Sequence, residues 1–221
     1  MPVYECARCN NLTYSASRFG SIQCDQCGGT RHRSLEHAYS FDEARDEPRK
    51  LSDGDHCCLG FDDPVDVAQI CAHVIGTGLA AGARVIAHPP ADVRAAIEPL
   101  LEPHEAGAVE WTDSDLLYCP GFDPDAAVDG FRAISDAEAR PLYVLGGSGM
   151  DLCEVMTPPE LRRFEHLVTQ GTSETGMVVV CLYDRRLQSA GSMEAAQATH
   201  PLTSDDGGPI KRNERFAYVG V

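Results

Sequence analysis

Four cysteines within the first 27 residues have the spacing of a metal-binding site. Two residues separate Cys6 from Cys9, two separate Cys24 from Cys27, and fourteen lie between the pairs. A Cys-x2-Cys turn points both thiolates at one ion, and four thiolates form a closed tetrahedral zinc site. The spacing predicts a structural zinc ribbon over residues 1–37, whose folding energy the metal would supply. A rubredoxin-like iron site and a redox dithiol pair are the alternatives.

A second group of possible donors begins at His56-Cys57-Cys58. Alternation along a strand would place His56 and Cys58 on one face of a sheet and Cys57 on the other. His56 and Cys58 would either contact a ligand or a second metal, or form a satisfied core pair. Cysteine is among the most buried residue types, so core filling is expected for three further thiols: Cys71, Cys153 and Cys181.

The stretch from Met177 to Leu187 changes abruptly from an apolar run to charged residues. Such a run is typical of a strand that is covered on both faces in a parallel sheet. Ligands of open α/β sheets bind beyond the carboxyl ends of the strands, where this strand would deliver Tyr183, Asp184 and Arg185. The alternative is a buried strand that ends in a solvated loop.

Tests for nucleotide and acyl-transfer chemistry fail. The chain has no Gly-x4-Gly-Lys-Ser/Thr phosphate loop, and the glycine-rich stretch Gly146-Gly147-Ser148-Gly149 lacks the lysine that would neutralise phosphate charge. The same stretch does not fit the Gly-x-Ser-x-Gly nucleophile elbow. An enzyme is therefore not favoured, although His56 and a cysteine thiolate could still act as base and nucleophile on a small substrate.

The elements that must position these residues alternate between strand and helix patterns. A charged, proline-broken linker is predicted over 38–52, followed by an α/β domain over 53–221. Asp63-Pro64 and the Thr157/Glu160 pair have the patterns of helix N-termini. Five strands and four helices are predicted, which gives a three-layer fold with a mostly parallel sheet. The predicted strands begin near residues 56, 84, 108, 141 and 177, and a short helix near 193–198 and an extended piece at 216–219 follow.

Charge is distributed unevenly along the chain. The chain has 34 acidic against 18 basic residues, a net charge of −16, and residues 1–50 hold seven of each sign. The α/β domain therefore carries all of the excess, and it should repel nucleic acid and anionic membranes. Arg31-His32-Arg33 leaves nucleic acid or an acidic partner possible for the ribbon. Neither a leader segment nor an apolar run of membrane-spanning length is evident, so a cytoplasmic protein without a membrane partner is expected.

Four motifs follow one another along the second part of the chain: Gly54-Asp55-His56-Cys57-Cys58, Phe164-Glu165, Cys181-Leu182-Tyr183-Asp184-Arg185-Arg186 and His200-Pro201. This ordered set resembles the MEDS domain, a sensory module of methanogens and methylotrophs that also occurs in a dichloromethane-responsive regulator. The resemblance runs from about residue 53 to the C-terminus and does not include the ribbon. A departure from the family pattern occurs at Gly147, where many members have glutamate.

The resemblance implies a RecA/KaiC-like fold without a working phosphate loop, which senses a small molecule proposed to be a hydrocarbon derivative. Carried over residue by residue, it implies a ligand pocket formed by His56, Cys58, Glu165, Tyr183, Asp184 and Arg185.

The sequence thus predicts a cytoplasmic sensory or regulatory protein. Its α/β domain would bind the small molecule, and its zinc ribbon would contact a partner, with a separate protein chain carrying the output. The alternatives are a small-molecule enzyme with histidine and cysteine chemistry, or a ribbon that acts as the interaction module on an inert α/β platform.

Overall fold

A computed structural model describes residues 51–114, 121–205 and 207–216, together with the backbone of three short strands nearer the N-terminus. The chain divides into two compact units between Pro48 and Arg49. In the first unit, β1 (Val3–Cys6) pairs antiparallel with β2 (Leu12–Tyr14) and with β3 (His32–Ser34). The predicted ligands Cys9, Cys24 and Cys27, and residues 38–50 of the predicted linker, lie outside the described residues.

The second unit alternates strands and helices, as predicted. Its described strands are β4 (His56–Phe61), β5 (Arg84–His88), β6 (Glu110–Trp111), β7 (Leu142–Gly147), β8 (Val178–Asp184), β9 (Leu202–Asp205) and β10 (Lys211–Arg212). Its described α-helices are α1 (Pro64–Ala80), α2 (Ala91–Ile97), α3 (Pro103–Ala106), α4 (Pro124–Ala137), α5 (Pro158–Thr175) and α6 (Ala190–Thr199). Short 3-10 turns cover Glu98–Leu100 and Leu152–Glu154.

Local capping chemistry explains where the long helices begin and end. The Asp63 carboxylate accepts a hydrogen bond from the Val65 amide at 2.9 Å, directly before proline at the first position of α1. Thr157 and Glu160 form the predicted capping box at the start of α5. This helix ends at Gly176, whose φ of 78° is a left-handed conformation that suits glycine.

The described strands of this unit form one seven-stranded sheet in the order β10-β9-β4-β8-β7-β5-β6. All neighbouring strands are parallel except the antiparallel pair β9 and β10. In the register between β4 and β8, His56 lies opposite Val179 and Cys58 opposite Cys181. Parallel strands need crossover connections, and the helices supply them on both faces.

The sheet separates two buried cores, which makes the unit a three-layer α/β domain as predicted. One face of the sheet packs against α1 and α2 through apolar side chains such as Leu59, Val180 and Leu182. We call it the apolar face. The other face packs against α4, α5 and α6, and we call it the cluster face because it also carries the polar residues described below.

The main difference from the predicted fold lies at one edge of the sheet. Five strands were expected, and the described residues add β9 beside β4 and the two-residue β10 at the edge. The third predicted strand, expected from residue 108, is shorter and covers Glu110–Trp111. The predicted extended piece at 216–219 falls mostly outside the described residues. Within the described parts of the chain, no helix combines the length and apolar character needed to cross a bilayer.

Candidate functional site

Five side chains on the cluster face form a buried polar cluster: His56, Glu165, Cys181, Tyr183 and His200. They come from β4, α5, β8 and the residue that follows α6. The two imidazoles are fully buried, the Glu165 and Tyr183 side chains are almost so, and Cys181 is half-buried. Most buried polar groups in proteins are hydrogen-bonded, so the contacts of this cluster indicate what it can do.

The Glu165 carboxylate lies at the centre of the cluster. Its Oε2 atom lies 3.4 Å from His56 Nε2 and 3.3 Å from His200 Nε2. Its other oxygen, Oε1, accepts a hydrogen bond of 2.5 Å from the Tyr183 hydroxyl. The Cys181 thiol lies 3.3 Å from His56 Nε2 and 3.9 Å from Glu165 Oε2. Four side chains therefore direct polar atoms into one small space.

Helix residues around the cluster hold the two histidine rings. His56 Nδ1 lies 2.8 Å from the Thr169 hydroxyl oxygen, and this hydroxyl donates to the Thr199 carbonyl at 3.3 Å. His200 Nδ1 donates to the Ala196 carbonyl at 2.8 Å. The rings also pack together, with centroids 4.1 Å apart. Each ring thus has its Nδ1 side fixed by α5 or α6 and its Nε2 side turned towards Glu165.

Burial controls the charge of the cluster. It lowers the pKa of His56 well below its ordinary value and that of His200 to about 4, so both imidazoles are neutral at pH 7. Burial raises the pKa of Glu165 to about 7, although hydrogen bonds from Tyr183 and Cys181 oppose this rise. It also raises the pKa of the Cys181 thiol well above its usual range. The contacts between the histidines and Glu165 are therefore not ion pairs at neutral pH.

An apolar cavity lies beside the cluster, between the sheet and helices α4 and α5. Its volume is about 20 Å³, and Cys181 and His88 are its polar lining residues. The His88 ring fits because position 146 is glycine, where a Cβ would lie 2.0 Å from His88 Nε2. The apolar lining consists of Val128, Phe131, Val144, Phe164, Val168, Met177 and Val179.

The carboxyl ends of β4, β8 and β9 carry a separate set of charged residues. Asp184 is buried, and its carboxylate lies 2.5 Å from Arg186 Nη2. Arg185 reaches Asp62 at 3.4 Å and Asp205 at 3.3 Å. The arginines at these strand ends are therefore paired with aspartates and do not form a binding site for one anion.

The connection from β4 to α1 also opposes phosphate binding. It consists of Asp62 and Asp63, and the carboxylate of Asp63 already accepts a hydrogen bond from the Val65 amide in the first turn of α1. A phosphate at this helix terminus would meet two negative charges in place of a glycine-rich loop. The connection after β4 therefore does not favour a phosphate at the start of α1.

The six residues predicted as a ligand pocket fall into three places. His56, Glu165 and Tyr183 meet in the buried polar cluster. Cys58 is buried on the same face, opposite Cys181, but is not among the four convergent donor residues. Two predicted residues, Asp184 and Arg185, belong to the charged edge.

Sequence reasoning did not include Cys181 and His200 among the predicted ligand residues. Core filling was the expectation for Cys181, whereas the structure places this residue in the cluster. Both residues belong to the ordered sequence motifs, at the start of Cys181-Leu182-Tyr183-Asp184 and in His200-Pro201, so the sequence did contain a signal for them. Donor atoms of His56, Glu165, Cys181 and His200 all lie within 4.8 Å of one another, a grouping that could hold a metal ion.

Fold and site together define a three-layer α/β domain with a buried histidine, carboxylate and thiol cluster beside a small apolar cavity. Residues 55–201 match the family described as MEDS, the MEthanogen/methylotroph, DcmR Sensory domain. The chain belongs to this family, which confirms the resemblance seen in its motifs. No individual curated protein matches the chain.

The packing of strands β7 and β8 explains why position 147 is glycine. Gly147 is the last residue of β7, and a Cβ there would lie 2.6 Å from the Leu182 Cβ atom. A larger side chain would need β7 and β8 to separate.

Proposed function

We propose that this chain is a cytoplasmic sensory protein whose α/β domain binds a small hydrocarbon derivative in the cavity beside the buried polar cluster. Membership of a sensory-domain family supports a sensory or regulatory role. The observation that carries the proposal is the cavity itself, because a mostly apolar lining with a few polar groups is the usual composition of a small-molecule site.

The size of the cavity limits the ligand. A volume of about 20 Å³ holds roughly one water-sized group, so a ligand must be very small or must displace a wall residue. Phe131 on α4 is the half-buried aromatic residue of the lining, so its side chain could move aside with a smaller loss of buried contacts than the fully buried lining residues. Cys181 lines the cavity and also contacts Glu165, which would couple a bound ligand to the cluster.

We assign the ligand-binding role to the residues that the family resemblance implies: His56, Cys58, Glu165, Tyr183, Asp184 and Arg185. The first four would orient the ligand from the cluster face. The last two, Asp184 and Arg185, would contact it from the carboxyl end of β8. The proposed RecA/KaiC-like origin of the fold is supported by the position of β4, between β8 and β9 and directly before α1. The acidic connection at Asp62 and Asp63 supports loss of the phosphate loop.

We assign partner contact to a zinc ribbon formed by Cys6, Cys9, Cys24 and Cys27. The three antiparallel strands support this assignment, because the first cysteine pair spans the connection from β1 to β2 and the second precedes β3. The expected partner is a protein that carries the output. The net charge of −16 opposes nucleic-acid binding by the α/β domain, although the ribbon, with four basic and three acidic residues over 1–37, could take part in it.

The enzyme alternative needs a reactive thiolate, and the buried thiols do not favour it. Burial raises the pKa of Cys58 and of Cys181 well above the usual range, so both are protonated at pH 7 in the absence of a metal.

Thermal denaturation with a panel of one- to four-carbon alcohols, aldehydes, thiols and halides tests the proposal. A ligand at ten times its Kd stabilises the folded protein by about 1.4 kcal/mol, which raises the Tm of a domain of this size by about 3–6 °C.

Val128→Leu adds a methylene to the cavity lining and should weaken ligand binding at least tenfold. Val93→Leu, in the opposite core, is the matched control and should bind normally. Equal ligand responses in both variants would place the ligand elsewhere, and a flat response to the whole panel would contradict the proposal.

A further inference from the structure

We infer that His56, Glu165, Cys181 and His200 are the four ligands of a divalent transition-metal ion, with zinc as the ion that best suits the donor set. This site would be separate from the four-cysteine ribbon. The inference stands on the geometry of the cluster and does not depend on the proposed sensory ligand. The same ion could serve a sensor, an enzyme or a purely structural role.

Four of the six separations among the donor atoms fit a tetrahedral ion, and all four atoms lie within 4.8 Å of one another. Zinc bonds of about 2.0–2.3 Å to nitrogen, oxygen and sulfur imply ligand-to-ligand separations of about 3.3–3.6 Å. Glu165 Oε2 lies 3.4 Å from His56 Nε2 and 3.3 Å from His200 Nε2. The Cys181 sulfur lies 3.3 Å from His56 Nε2 and 3.9 Å from Glu165 Oε2. Each of these contacts is within about 0.4 Å of the tetrahedral expectation.

The hydrogen bonds of the two rings leave the correct nitrogen atoms free for a metal. A carbonyl can only accept, so His200 Nδ1 must carry the proton that is donated to Ala196, and its Nε2 has a lone pair. The Thr169 hydroxyl gives its proton to the Thr199 carbonyl and therefore accepts from His56 Nδ1. Both Nε2 lone pairs then point at the same space. Metal-binding histidines are commonly oriented in this way through their second nitrogen.

One detail of the cluster is better explained with an ion than without one. The fully buried His200 Nε2 atom makes no hydrogen bond, although it lies 3.3 Å from Glu165 Oε2. Without a metal, two lone pairs and a carboxylate oxygen face one another, which is unfavourable unless protons are shared among them. A divalent cation would satisfy all three acceptors and the thiolate at once.

Charge balance favours the same conclusion. With a deprotonated Cys181 thiol and Glu165 carboxylate, two neutral imidazoles and a divalent cation, the buried site is neutral overall. Tyr183 then serves as a positioning residue, because its hydroxyl donates to Glu165 Oε1 and leaves Oε2 for the metal. Two imidazoles, one thiolate and one carboxylate suit zinc, and they are too soft a set for magnesium or calcium.

The test compares two cysteine variants of the full chain. Cys181→Ser removes a proposed ligand, whereas Cys58→Ser changes a buried thiol at the paired position of the neighbouring strand. Elemental analysis after dialysis should give one metal equivalent fewer for Cys181→Ser than for Cys58→Ser, whatever the ribbon contributes. Equal metal content in the two variants, or a loss confined to Cys58→Ser, would overturn the inference.

A second measurement removes the ribbon from the comparison and guards against misfolding. A full chain with serine at Cys6, Cys9, Cys24 and Cys27 should still bind one equivalent of cobalt(II), with thiolate-to-cobalt charge-transfer absorption. That absorption should disappear when Cys181→Ser is added, and Glu165→Gln should weaken cobalt binding at least tenfold. A chain that unfolds cooperatively yet binds no cobalt would refute the site.

Discussion

The two faces of the central sheet use the same strands for different purposes. Along β8, Val178, Val180 and Leu182 point into the apolar face, whereas Cys181 and Tyr183 point into the buried polar cluster. Alternation along a strand is enough to separate them. The apolar face can contribute to stability without constraint from a ligand, and the cluster face must keep polar groups in place at a cost in desolvation. Substitutions one residue apart should therefore have different consequences.

The largest loss of stability is expected on the apolar face, for Leu182→Ala. This side chain is 1% exposed in a closely packed core, so its truncation removes buried area and leaves a cavity. Such changes cost about 2–5 kcal/mol, which urea denaturation would measure. The metal content of the folded variant should equal that of the unchanged protein. Loss of metal at unchanged stability would show that the two faces are not independent.

The next effect concerns His88, which lies on the cluster face and lines the cavity. Burial lowers its pKa to about 4, against about 6.5 when unfolded, so the unfolded chain binds the extra proton between these values. The contribution of this residue to stability is therefore complete above about pH 6.5 and is lost as the pH falls. The loss should reach about 2 kcal/mol by pH 5.

Comparison with His88→Gln between pH 5 and pH 7 isolates this effect, because glutamine cannot be protonated there. The variant should lose less stability on acidification than the unchanged protein, by the same 2 kcal/mol. The measurements are kept above pH 5 because the isoelectric point of the protein is near 4.7. His104→Gln, at an exposed position, is the control substitution. Parallel curves for His88→Gln and the unchanged protein would show that His88 is solvated.

Most of the fold could be predicted because its signals are local. Asp63-Pro64 and the Thr157/Glu160 box mark helix starts through contacts within three residues, and both were confirmed. Strand β9 was missed because Leu202-Thr203-Ser204-Asp205 is short and polar. Its structure depends on pairing with β4, a contact between residues that are far apart in the sequence.

The site was less predictable for the same reason. His56 and Cys181 are 125 positions apart, and their contact depends on the register of two strands, which no local pattern specifies. The rule for the carboxyl ends of strands indicated the charged edge, whereas His56 is the first residue of β4, at its opposite end. Thr169 had no signal at all, because a threonine in the middle of a helix is unremarkable until its hydroxyl is seen to hold an imidazole.

A smaller loss is expected when the cluster keeps its shape but loses one proton donor. Tyr183→Phe removes the hydroxyl that donates to Glu165 at 2.5 Å. Because burial raises the pKa of Glu165 to about 7, this carboxyl is only partly charged at pH 7, and a hydrogen bond between neutral groups contributes about 0.5–1.5 kcal/mol. Urea denaturation should show a loss in this range, together with weaker cobalt binding. Tyr143→Phe, which removes a hydroxyl from the apolar face, should leave cobalt binding intact. If both variants bound cobalt equally well, Tyr183 would have no positioning role.

The smallest effect is expected outside both cores, at the ion pair between Arg163 on α5 and Asp125 on α4. The two side chains are 2.7 Å apart, but they are 57% and 51% exposed, so water screens most of their attraction. Exposed pairs contribute about 0.2–1 kcal/mol, and Arg163→Ala should change stability by no more than this. The pair formed by Arg94 on α2 and Glu98, the residue directly after that helix, has the same 2.7 Å separation and provides the control on the other side of the sheet. Helices α4 and α5 also form walls of the cavity. A substantially larger loss of stability for Arg163→Ala than for Arg94→Ala would therefore show that the Arg163–Asp125 pair holds α4 against α5.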